Sequence, residues 1–319
     1  MAASDYEGVA RPAGALSERR KKPSSMADFA QTGFTQSWRV GDVRVTRIVE
    51  LEIGGGTRFI LPDATPEACA PLEWMAPHFM KPDGTLVMSV HALVIEAGDR
   101  RIMVDTCIGN DKVRNVPAWD HMTTTFLTDL EAAGFPPETI DTVLCTHLHV
   151  DHVGWNTRLV DGVWEPTFKN ARYLFAETEW RHWDANDDET VYGPVLADSV
   201  RPVVEAGLVD LVEMSHQVCP EVRLEPTPGH TPGHVSVHIN SAGHEALITG
   251  DCIHHPCQMS RTDWCSSADS DQAEGRRTRE SLLARYCDTE VLIIGTHFAT
   301  PTAGYVKART EGGYWLDVS

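Results

Sequence analysis

The chain has 319 residues, 42% of them hydrophobic, enough to bury a large core in one big domain or two ordinary ones. Acidic residues outnumber basic ones 46 to 27, a formal charge of −19, so the mean field repels polyanions and excludes nucleic acid as the expected partner. No stretch is long and apolar enough to span a bilayer, and no apolar run follows the basic SERRKKPSS, so neither membrane nor secretory signal is expected.

Residues 1–36 are rich in Ala, Ser, Gly and charge without a clear period. They predict a flexible arm, either free or docked on a second copy in a homodimer. Residues 37–319 offer no clean linker and are expected to form one domain. VGDVRVTRIVELEI and MSVHALVIEAGDRRIMVDT alternate and carry β-branched residues, which predicts strands and a hairpin turning at EAGDRR. Between them, the Pro- and Gly-punctuated residues 53–87 hold Phe59, Trp74, Phe79 and Met80, an apolar segment read as a lid. A helix is expected from about Thr124 to Ala133, then a short buried strand in DTVLCT. ARYLFA predicts a strand, with ETEWRHWD and VLADSVRPVVEAG as helices. VRLEPT, HVSVHIN and EALITG are expected strands, AEGRRTRESLLARY a helix and EVLIIGT a last strand. The eight cysteines are dispersed without a CxxC pair, as expected for small core residues in a reducing cytoplasm.

Four polar clusters follow predicted strands: His147, His149, Asp151 and His152 in THLHVDHVGW; His230 and His234 in TPGHTPGH; Asp251 in LITGD; and His297 in LIIGTH. Loops at strand ends are where a rigid sheet positions chemical groups. In an extended segment His147 and His149, two apart, point the same way and can share one ion. Asp151 and His152 then turn toward a second. Any one of these residues alone reads as a satisfied strand-end histidine or a helix cap. Together the recurrence favours metal, and imidazoles with carboxylates suit zinc and other first-row ions rather than calcium or magnesium.

The pattern HxHxDH, then a lone His, a lone Asp and a final His, resembles the metallo-β-lactamase-fold hydrolases over roughly residues 38–300. The resemblance implies an α/β fold, a four-layer αββα sandwich of two mixed sheets flanked by helices. It also implies two Zn2+ per chain, with His147, His149 and His230 on one ion, Asp151, His152 and His297 on the other, and Asp251 bridging. Asp151 is counted as the catalytic residue as well as a ligand. A hydroxide between the ions would be the nucleophile, formed because zinc lowers the pKa of bound water to about 7.

Within that family, the bridging Asp251 points away from true β-lactamases and His149 away from the flavo-diiron relatives. The remaining resemblance is to the lactonase and methyl-parathion-hydrolase branch. One departure is plain: where acyl-homoserine lactonases place a tyrosine after the bridging aspartate, this chain has Cys252, Ile253, His254, His255 and Pro256. His254 and His255 are expected to orient substrate or to buttress the site, and His234 to support a ligand through a hydrogen bond. Trp119, Trp155 and Phe79 are candidate walls of an apolar pocket, although aromatics are more often core. The expected function is hydrolysis of a small, largely apolar ester or lactone. Hydrolysis of an organophosphate triester is the alternative, and a non-catalytic metal-binding or sensing protein of the same fold is the other.

Overall fold

Along Val87–Ala97 both faces are apolar: Val90, Ala92 and Val94 turn to one side, Leu93, Ile95 and Ala97 to the other. A strand of that kind belongs in the middle of a layered structure, covered on both faces. The computed structural model describes residues 29–30, 35–55 and 57–319, so most of the arm expected over 1–36 lies outside the described residues.

The strands in chain order are β1 (Phe29–Ala30), β2 (Gln36–Val40), β3 (Val43–Gly54), β4 (Val87–Ala97), β5 (Arg100–Val104), β6 (Thr142–Leu144), β7 (Thr157–Val160), β8 (Val163–Pro166), β9 (Arg172–Ala176) and β10 (Val209–Val212). They continue with β11 (Gln217–Cys219), β12 (Val222–Pro226), β13 (Val235–Ser241), β14 (His244–Ile248), β15 (Leu292–Ile294), β16 (Ala303–Ala308) and β17 (Tyr314–Asp317). Among the described residues, one sheet runs β1-β3-β4-β5-β6-β9-β10, with β2 also on β3. The other runs β11 to β17 in sequence order, and β7 and β8 form a separate hairpin. Both sheets are mixed: β5, β6, β9 and β10 pair in parallel, as do β14 and β15, and the other pairings are antiparallel.

Three apolar layers hold the sheets. Leu93, Ile95, Ile102 and Leu144 of the first sheet meet Val235, Val237, Ile248 and Ile294 of the second. The outer face of the first sheet, with Val94, Met103 and Phe175, packs on Phe126 and Leu130 of the helix Phe126–Ala132. The outer face of the second, with Leu247 and Ile293, packs on Leu282, Leu283 and Tyr286 of the helix Gln272–Tyr286. This is the expected αββα order. The segment 53–87 meets the lid reading only at its start, because Leu61, Cys69, Leu72, Met75 and Phe79 are buried in the second outer layer. Most of its large apolar residues from Leu61 to Met80 are core, while Ile53, Phe59 and Ile60 at its start line a cavity. The helix expected over VLADSVRPVVEAG divides into a π-turn, Leu196–Val200, and a short α-helix, Arg201–Glu205. Pro202 has no N–H with which to continue a regular ladder.

The two sheets meet at one edge. Val235 N–H donates to Thr146 O (3.0 Å), and Ser89 N–H to His297 O (3.0 Å). The strands β5, β6, β12, β14 and β15 all end there, bringing Asp105, residues 146–152, residues 227–234, Asp251 and His297 together.

Residues 105–125, which carry Trp119, contain neither helix nor strand. An ion cluster anchors them: Arg114 holds Asp198 through two bonds (2.6 and 2.9 Å), and the Lys112 ammonium lies 3.5 Å from the same carboxylate and 3.7 Å over the Trp164 ring. Both cations are buried, and burial lowers the Lys112 pKa to about 7. Removing the carboxylate strands both of them, so Asp198→Ala should cost about 3–5 kcal/mol. Urea unfolding should report it, and a loss within experimental error of zero would show that the cluster does not anchor the segment.

Candidate metal centre

Asp251 follows β14 through Gly250, whose φ of +54° puts it in the left-handed region. A Cβ there would lie 2.5 Å from His234 Nε2. Glycine therefore lets the chain turn tightly enough to set the Asp251 carboxylate in the middle of the site. His234 holds the turn from behind. Its Nε2 accepts from Asp251 N–H (2.8 Å) and its Nδ1–H donates to Thr227 O (3.0 Å). Burial lowers the His234 pKa to about 4, which keeps it neutral, and with both nitrogens engaged it supports Asp251 and is not itself a ligand.

Five imidazoles surround that carboxylate. Oδ2 lies 3.9 Å from His147 Nε2, 3.3 Å from His152 Nε2, 3.5 Å from His230 Nε2 and 3.3 Å from His254 Nε2, while Oδ1 lies 3.2 Å from His297 Nε2. Asp151 lies beside the second group, 3.7 Å from His152 Nε2 and 3.6 Å from His297 Nε2. The seven residues expected as ligands, His147, His149, Asp151, His152, His230, Asp251 and His297, thus converge from four separate loops.

The far nitrogens decide what the near ones offer. His147 Nδ1–H donates to Thr146 Oγ1 (3.1 Å), itself a donor to Asp105 Oδ2 (2.9 Å). His152 Nδ1–H donates to Asp105 Oδ2 (2.9 Å), His230 Nδ1–H to Asp269 Oδ1 (2.8 Å) and His297 Nδ1–H to Ser89 O (3.0 Å). In its neutral form each ring is left with a bare lone pair at Nε2. These lone pairs face one another: His147 Nε2 and His230 Nε2 lie 3.0 and 2.9 Å from His149 Nδ1, and His152 Nε2 lies 3.3 Å from His297 Nε2. Buried acceptors converging at such distances fit cations between them, and Asp251 Oδ1 has no hydrogen-bond partner.

The electrostatics agree. Burial, followed by the neighbouring imidazoles, drives His147, His149 and His230 well below the usual histidine pKa, leaving them neutral and able to ligate. Burial alone would also lower His152, but Asp251, Asp105 and Asp151 raise it well above 6.5. Positive charge is favoured there. Burial would raise the Asp251 carboxyl, yet His297, His152 and His254 hold it well below the carboxylate range. Cys252, beside it in sequence, packs into the outer core, and burial pushes its thiol to about 12, so it offers no thiolate.

Above the carboxylate is a cavity of about 180 Å3 whose floor is His149, Asp151, His230, Asp251, His254 and His297. Its walls are mostly apolar and include Ile53, Phe59, Ile60, Met88, Val90 and Trp119, with Thr57 and Tyr192 beside them. His254 is buried and lines the cavity; neither ring nitrogen makes a hydrogen bond, and Nε2 lies 3.3 Å from Asp251 Oδ2. Other sequence candidates lie elsewhere. Trp155 is stacked on Phe126 and donates to Glu50 Oε1 (2.7 Å). Phe79 packs edge-on against His255 and Phe298, and neither it nor His255 lines the cavity. Asp105, Asp269 and Tyr192 were not anticipated. Asp105 has a readable signal in retrospect, a carboxylate at the end of a buried strand, where its φ of +58° is one that aspartate tolerates better than most residues.

A sequence model of the family described as the Metallo-beta-lactamase superfamily matches residues 86–297. An N-acyl homoserine lactonase of Bacillus cereus is 25% identical over 174 residues, which are 51% of this chain and 62% of that protein. Another from Bacillus thuringiensis is 28% identical over 112 residues, 35% of this chain and 38% of the relative. Each match spans less than two thirds of the relative's length. Among solved structures, the hydrolase AbOPH of the beta lactamase superfamily gives a TM-score of 0.73 at 22% identity, covering 91% of this chain and 99% of its own. AidC, a dizinc quorum-quenching lactonase in complex with a product, gives 0.71 at 19% identity, covering 89% and 97%. At these identities the likeness to the two structures is one of fold.

His255 makes the site's surroundings sensitive to acid. Its Nδ1 accepts from Cys257 N–H (3.1 Å) and its Nε2–H donates to Phe79 O (3.1 Å), an arrangement only the neutral ring satisfies. Burial lowers its pKa to about 4. Its unfolded value is about 6.5, so its contribution is fully present above that pH and is lost as pH falls toward 4, roughly 3 kcal/mol in all. His255→Gln should flatten the fall in urea stability of the metal-free protein across that window. A difference between wild type and variant that stays constant from pH 7 to pH 4 would refute the neutral assignment.

Proposed function

The chain belongs to the metallo-beta-lactamase superfamily, and from that premise we propose that it is a two-metal hydrolase cleaving a small, uncharged, largely apolar ester or lactone. The observation that carries this reading is the pairing of an apolar cavity with a floor of metal-type ligands. His147, His149 and His230 would hold one divalent ion, Asp151, His152 and His297 the other, with Asp251 shared between them. Zinc suits this donor set, and other first-row ions can replace it. Bound there, the ions would supply Lewis acidity and a water acidic enough to attack a carbonyl near neutral pH.

The chain's own groups do the rest. Apolar walls bind the hydrocarbon part of the substrate and exclude bulk water. Asp151, partly open to the cavity, would take the proton released as water adds to the carbonyl and return it to the departing alkoxide. The His254 imidazole, whose Nδ1 has no hydrogen-bond or ion-pair partner, offers an N–H to a substrate oxygen.

The same cavity argues against polyanions. Among the described residues its lining contains no Lys or Arg, and Arg58, Lys81, Lys112, Arg114 and Arg158 all lie outside it. A phosphodiester or a glutathione conjugate would lose hydration there without charge-assisted bonds in return. A phosphotriester, also neutral, is the nearest competing substrate class.

The purified protein should carry two ions per chain by elemental analysis, lose turnover on chelation and regain it with Zn2+. Across a substrate panel, kcat/KM for aliphatic lactones and aryl esters should exceed that for phosphodiesters and glutathione thioesters by at least tenfold, about 1.4 kcal/mol of transition-state preference. Leadership by either charged class would overturn the apolar-carbonyl assignment. No turnover of any member by the two-metal protein would favour a binding role.

A further inference from the structure

Glu179 lies in the first turn of the helix Glu177–Ala185, fully buried and outside the cavity lining. Its carboxylate accepts four hydrogen bonds. Oε1 accepts from Leu148 N–H (3.0 Å) and Trp183 Nε1–H (2.6 Å), Oε2 from Thr231 Oγ1–H (2.7 Å) and Gly233 N–H (3.1 Å). Leu148 sits between His147 and His149, and Thr231 follows His230. The Trp183 ring also meets the His149 ring edge to face at 5.2 Å. Gly233 makes the close approach possible, since a Cβ there would come within 2.2 Å of Glu179 N. One carboxylate therefore ties together the two loops that carry His147, His149 and His230. None of its four bonds goes to the other ligand set, where His152 is held by Asp105 and His297 by Ser89 O.

We propose that Glu179 is a positioning residue for the His147, His149 and His230 ligand set, so that it governs the affinity of one of the two ions and not of the other. The proposal rests on the two-ion reading above. A glutamine keeps the shape but cannot keep the pattern, because its amide nitrogen donates where the carboxylate accepts. Whichever way the amide turns, it faces either Leu148 N–H with Trp183 Nε1–H, or Gly233 N–H. The loop on that side must move, and His149 or His230 moves with it.

The test is to measure stepwise Zn2+ dissociation constants of the full chain by competition with a chromogenic chelator. His149→Ala and His297→Ala mark which step belongs to which ligand set. Glu179→Gln should weaken the step that His149→Ala weakens by about tenfold to a hundredfold, the size typical of groups that orient metal ligands, and leave the other within about twofold. Thr231→Val, which removes one donor and keeps the side chain's shape, should weaken the same step by less, and it carries the test if Glu179→Gln does not fold. Thermal unfolding of the metal-free proteins separates this from a general loss of stability, which would weaken both steps together. Wild type binding two ions, with both steps weakened alike or neither weakened, overturns the role of Glu179 alone. Wild type binding a single ion overturns the two-ion reading itself.

Discussion

A carboxylate buried among five imidazoles is the constraint on which this structure turns. Asp251 alone, removed from water, would be costly, and so would imidazole lone pairs facing one another at about 3 Å without a cation between them. Each group makes the other tolerable only in the presence of positive charge. The same balance appears in the direction of the titrations: neutral His147, His149 and His230 on one side, and on the other a His152 that its carboxylate neighbours drive toward the charged form.

Meeting that constraint requires two sheets. Asp105 and the 146–152 loop leave the first, while the 227–234 loop, Asp251 and His297 leave the second, so neither sheet alone holds a complete set of candidate ligands. The loops themselves have little regular structure, and buried carboxylates hold them. Glu50 gathers Ile108 N–H, Gly109 N–H, Trp155 and Thr124, and Asp105 gathers Thr146 and His152. A carboxylate that accepts several backbone donors pins a loop more tightly than apolar contact does, because each lost bond would leave a buried donor unsatisfied.

On the proposed two-ion reading, the cavity would set ions and hydrocarbon side by side. Its low-dielectric walls strengthen every charge interaction at the floor while they desolvate whatever enters. A neutral acyl group gains from both effects, and an anion without a partnering cation does not.

The convergence of the seven candidate ligands was legible in the sequence because metal-type residues fell in clusters after buried strands, and the strands were legible because their alternation is strong. HVSVHIN and EALITG show this, and so does the αββα order that followed from the resemblance. The limits of local pattern are equally specific. The apolar residues between Phe59 and Met80 look the same in sequence whether they cover a cavity or pack beneath a sheet, and the fold put most of them beneath the sheet. Phe79 is core for that reason and Trp155 is core against Phe126 in the other outer layer, whereas Trp119 and Tyr192 reach the cavity on segments whose positions depend on distant partners such as Asp198. Glu179 lies in a segment legible as a helix, ETEWRHWD, and Asp269 in a stretch without a recognised pattern, and in neither does the local sequence point to the site. Their roles exist only because the fold brings Leu148, Thr231 and Gly233 to the one and His230 to the other. Residue type and spacing determine what a side chain can do to a metal or to a core. Which buried acceptor meets which distant donor is decided by packing between elements far apart in the chain, and one-dimensional spacing carries no record of it.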